Sequence, residues 1–126
     1  MNILYMKGVP EEVREATTRF LGHLPNDRLG TVKVSVSDEG TVTFVWQRTA
    51  NWVLSLDIDQ LGMITYSGVF QSSRGSITVH GGEPVQDRFS LALDFIFTLL
   101  STPPADVRAA MKEIDGYDDA DTDYKC

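Results

Sequence analysis

The sequence predicts an α+β fold: a five-stranded antiparallel β-meander with an N-terminal helix and one or two C-terminal helices packed on one face. Three observations carry this. From Thr41 to Phe70 apolar and polar residues alternate almost without a slip, and side chains two apart share one face of a strand. The connections in and around that stretch are short, which suits antiparallel neighbours rather than crossovers. On either side, apolar residues recur at helical spacing.

Taken in order, Ile3 to Met6 offers a short extra strand. Pro10 to Leu24 reads as an amphipathic helix, with Glu11 and Glu12 at the positive end of its dipole and a stripe of Val13, Ala16, Phe20, Leu21 and Leu24. Pro25-Asn26-Asp27 ends it. Thr31 to Ser37 alternates Val32, Val34 and Val36 against Lys33 and Ser35. The turn Asp38-Glu39-Gly40 then leads into Thr41 to Arg48. Trp52 to Ile58 follows after Thr49-Ala50-Asn51. Asp59-Gln60-Leu61-Gly62 turns into Met63 to Phe70, and Ser72-Ser73-Arg74-Gly75 turns into Ser76 to His80. Gly81-Gly82 is expected to stop the sheet.

Pro84 to Leu100 reads as a second helix. Its apolar residues spread over Phe89, Leu91, Leu93, Phe95, Ile96, Phe97, Leu99 and Leu100, more than one stripe, so it is expected to be buried on most sides or to join a dimer interface. A short third helix runs from Pro104 to about Ile114. Residues 1–114 then form one domain, and residues 115–126 an acidic, flexible tail holding Asp115, Asp118, Asp119, Asp121 and Asp123 against Lys125 alone.

A chain of 126 residues is long enough to bury a core without disulfide or metal staples. The single cysteine, Cys126, excludes an intrachain disulfide and suits a reducing cytoplasm. No apolar run is long enough for a signal peptide or a membrane span. The net charge is −7, from 18 acidic and 11 basic residues. Lys and Arg form no cluster, which argues against direct nucleic-acid binding.

Several chemistries lack their parts. Asp119, Asp121 and Asp123 have the opening spacing of a calcium loop, but Tyr124 stands where glycine is needed and the closing glutamate is missing. His23 and His80 are the only histidines, too few for a conventional zinc site. There is no nucleophile elbow, no cysteine–histidine pair, no phosphate loop and no dinucleotide fingerprint. Asp57 and Asp59 form a carboxylate pair near a turn, where Asp59 reads as the turn former; His80 could join them only if the third and fifth strands approached. No cofactor, no metal and no catalytic residue is therefore expected.

Alternation places Val45, Gln47, Val53, Met63, Thr65 and Val69 on the outward face with many Ser and Thr residues. Such a face, poor in charge and mildly apolar, suits a protein or homodimer contact. The expected function is a non-enzymatic interaction module for a protein partner, with a basic one among the options, acting through this face or the acidic tail. Small acidic inhibitors, immunity proteins and accessory subunits, including those of phage and mobile elements, are the class-level analogues. The alternative is a small-ligand binder with a cleft between sheet and helix walled by Trp46 and Trp52.

Overall fold

The computed structural model describes residues 9–24 and 31–115, with side chains described as far as Met111. The element order is α1 (Glu11–His23), β1 (Val32–Val36), β2 (Val42–Thr49), β3 (Trp52–Ile58), β4 (Met63–Ser72), β5 (Gly75–Pro84), α2 (Leu91–Ser101) and α3 (Ala105–Asp115). The five strands form one sheet in sequential order, each antiparallel to the next. The expected strand at Ile3–Met6, the Pro25-Asn26-Asp27 stop and the tail beyond Asp115 lie outside the described residues.

The turns show why a meander forms. Ser37 and Gly40 close the first hairpin, with the Ser37 hydroxyl accepting from the backbone N–H groups of Glu39 and Thr41. Gly40 takes φ +87° against the Pro10 ring, where a Cβ would stand 2.7 Å from Pro10 Cδ. In the third connection, Asp59 Oδ1 accepts from the N–H groups of Leu61 and Met63, and Gly62 supplies φ +74°. A register shift between Gln47 and Thr49 pairs Thr49 with Trp52.

One face of the sheet carries the core. Phe44, Trp46, Leu54, Leu56, Ile58, Ile64 and Phe70 are buried there. Phe20 of α1 and Phe97 of α2 close over them, with ring centroids 5.2 Å from Phe44 and 5.6 Å from Trp46 respectively. Val107 and Met111 of α3 complete the cluster. The interior rests on burial of these large side chains, each contributing about 1.5–3 kcal/mol by removal from water.

Three expectations need correction. First, β5 does not stop at Gly81-Gly82 but continues to Pro84, opposite Met63. Tyr66 lies across Gly81, where a Cβ would meet its hydroxyl at 2.7 Å, so the ring covers the glycine and the ladder persists. Second, α2 begins at Leu91 rather than Pro84. Ser90 is its N-cap and accepts from the Leu93 N–H, while Phe89 fills the core from the preceding loop, 5.5 Å from Phe20 and 5.3 Å from Phe97. Third, α2 is not buried on most sides: Leu91 is 88% exposed and Phe95 54%. β1 turns its valines toward the helix side, and Val34 and Val36 are exposed there, because α3 packs on β2, and α1 and α2 on β3.

Candidate functional site

The helices leave the second face of the sheet bare among the described residues, and strand register turns that face into a grid. One cross-strand row runs Gln47, Val53, Val69, Thr78; the next runs Lys33, Val45, Ser55, Ser67, His80; a third runs Ser35, Thr43, Asp57, Thr65, Gly82. Val53 and Val69 are direct partners, with Val45 diagonal to Val53. Gln47 flanks them. Val45, Val53 and Val69 are half-buried by their neighbours although no helix covers them. Four of the six outward-face residues named from the sequence therefore converge.

The other two do not join that cluster. Thr65 stands between Asp57 and Gly82 in the polar half of the face. Met63 pairs with Pro84 at the far end of β4. It lies six positions from Val69, about 20 Å along an extended strand. Alternation assigns a face but not a position along it. Alternation alone therefore sets Met63 with the valines.

The polar half surrounds a shallow depression of about 460 Å³ lined by Ser55, Asp57, Thr65, Ser67, His80 and Gly82. Thr43 Oγ1 donates to Asp57 Oδ1 at 2.6 Å, so part of the carboxylate's accepting capacity is used within the sheet. Asp57 and His80 sit on strands separated by β4, which keeps Ser67 and Thr65 between them. Asp59 is engaged in its turn. These groups do not form a nucleophile–base arrangement, which requires side chains within direct hydrogen-bond reach. A second depression, of about 520 Å³, lies beside Lys33, Val45 and Gln47.

Trp46 and Trp52 belong to the core. Trp46 is 2% exposed and stacks on Phe44 at 5.8 Å; Trp52 is 4% exposed and meets Phe70 edge-on at 5.2 Å. Neither lines the surface depressions beside Asp57, Lys33 or Leu61. Asp115 is the last residue of α3, and Asp118, Asp119, Asp121 and Asp123 lie outside the described residues. Among the described residues, no group of three or more His, Cys, Asp or Glu side chains is placed to hold a metal ion. Nor is any described helix long and apolar enough to cross a membrane.

Two features escaped the sequence reading. A broad trough of about 1420 Å³ runs between the exposed flank of α1, with Glu12, Glu15 and Arg19, and the turn at Leu61, floored by Ala16, Pro84 and Val85. Leu61, 86% exposed, was the available signal: a large apolar residue at a turn apex. The second is the Leu91–Phe95 stripe of α2. Its i, i+4 spacing was visible, but which side faced the sheet was not.

No family model matches the chain, and no curated protein and no solved structure matches it.

Proposed function

We propose that this protein is a non-enzymatic interaction module of the cytoplasm that binds a protein partner through the outer face of its sheet, in the manner of a small inhibitor, immunity protein or accessory subunit. The observation that carries the reading is the helix-free face centred on Val53 and Val69. Its only charged or imidazole groups among the described residues are Lys33, Asp57 and His80. Ordinary solvated faces carry more charge, whereas the centres of protein contacts are depleted in it. The acidic tail is proposed as an accessory that speeds encounter with a basic partner, an effect that salt screens.

The experiment compares partner capture from the native host by the wild type, by a Val53→Glu/Val69→Lys variant and by a chain truncated after residue 115. A partner retained by the wild type and lost by the folded face variant is the expected result. Truncation should weaken capture only at low salt. Equal capture by the face variant would overturn the assignment of this face, and salt-independent loss on truncation would move the contact to the tail.

A further inference from the structure

Among the described residues the sheet is open, with β1 and β5 each at an edge. Edge strands in monomeric proteins are kept short, charged, bulged or interrupted by proline, because a free row of N–H and C=O groups invites another strand. β1 follows that practice: it has five residues, and Lys33, the second of them, is exposed. β5 does not. It runs ten residues in unbroken register with β4, and from Gly75 to Gly82 it contains no Asp, Glu, Lys, Arg or Pro.

We propose that β5 is a self-association edge, along which two copies of this chain pair antiparallel about a two-fold axis at Thr78. The strand is self-complementary in that register. Thr78 faces the partner's Thr78, Ser76 faces the partner's His80, and Ile77 faces the partner's Val79. Arg74 comes opposite the partner's Gly82, so no like charges meet. Ile77 is 41% exposed on the helix-covered side of the sheet, next to Phe70 in the ladder. Pairing gives it an apolar cross-strand neighbour, the unit by which sheets are stabilised.

Other registers fit less well. An axis at Ile77 sets Arg74 against the partner's His80. One at His80 opposes two imidazoles and brings in Pro84, which has no N–H to donate. One at Val79 leaves Ile77 against a glycine. A chain of net charge −7 repels its own copies in general, and β5 is the edge where charge is sparsest. Glu83, its one carboxylate, is buried and bonded to Ser90. The resulting dimer would carry one sheet through both copies and set two outer faces side by side, which makes any partner contact bivalent.

The test is sedimentation of the full chain under reducing conditions, from low to high micromolar, beside Thr78→Lys. Thr78 is exposed on the outer face, so lysine leaves the monomer intact and opposes two ammonium groups at the axis. Concentration-dependent dimerisation of the wild type, weakened about tenfold or more in the variant, is the expected outcome. In the wild type, hydrogen exchange should slow with concentration at Ser76–Gly82. A wild type that stays monomeric overturns the proposal. So does a dimer indifferent to Thr78→Lys, or one whose newly protected amides lie in β1 or along Leu91 and Phe95.

Discussion

Phe44 and Leu56 face each other across β2 and β3, and neither exposes any surface. Phe44→Ala should cost about 3–5 kcal/mol and Leu56→Ala about 2–5 kcal/mol, read as shifts in the urea midpoint. Val34→Ala, at a residue 39% exposed on β1, should cost less than about 1 kcal/mol by the same measure. Alternation alone marked all three as inward, and it cannot distinguish a covered strand from an uncovered edge. Thr17 shows a different limit. Its side chain is buried in α1, and Oγ1 finds no hydrogen-bond partner among the described residues. Thr17→Val keeps the shape and removes the stranded hydroxyl, so it should stabilise the fold by about 1 kcal/mol in thermal unfolding. Asp106 acts at the surface: its carboxylate accepts from the Ser73 N–H at 2.7 Å, and that bond holds its pKa below the ordinary carboxylate range. A carboxyl with a depressed pKa in the folded state stabilises above its unfolded pKa, and the contribution disappears as pH falls through the folded value. Asp106→Asn should therefore flatten the acid limb of stability against pH below about pH 4, and leave neutral-pH behaviour of the other carboxylates unchanged.

At the scale of elements, the junction between β5 and α2 is held by one side chain. Glu83 turns inward from β5, and its carboxylate accepts from both the N–H and the hydroxyl of Ser90. The same hydroxyl accepts from Leu93, so Ser90 caps α2 while being fixed to the sheet. Ser90→Ala should cost about 1–3 kcal/mol, because it removes a cap and leaves a buried carboxylate short of a donor. Calorimetry would read the loss, and Ser90→Thr should recover most of it. This junction also explains the misplaced helix start. Pro84 is a good first-turn residue, and the apolar spacing extends back to Phe89, so local signals favour an early start. The signal that wins is non-local: the continuation of β5 opposite β4, stabilised where Tyr66 covers Gly81. Strands β2 and β3, by contrast, were legible because their alternation, their turns and their burial agree. The exposed Leu91 and Phe95 were legible as apolar but not as exposed, since α2 contributes only Leu93, Ile96, Phe97 and Leu100 to the buried side.

Across the whole molecule, the proposed function sets recognition on the face of the sheet opposite the one that carries the core. Among the described residues, the ring contacts between helix and sheet, Phe20 with Phe44 and Phe97 with Trp46, lie on the inner face, while Val45, Val53 and Val69 lie on the other face of the same strands. The two-sided division was legible from residue alternation, and the identity of the cross-strand partners required the register. A direct consequence can be measured. Replacing Val45, Val53 and Val69 together by threonine keeps β-branched side chains suited to strands and changes no residue of the core. The triple variant should unfold within about 1 kcal/mol of the wild type, since threonine fits an exposed pleated surface nearly as well as valine. Its capture of a protein partner should nevertheless fall by about tenfold or more, because three adjacent apolar contacts would be lost from the centre of the contact. If the variant lost several kcal/mol of stability, the outer face would be part of the folding core. If it kept full stability and full capture, recognition would have to reside in the α1 trough, the α2 stripe or the acidic tail.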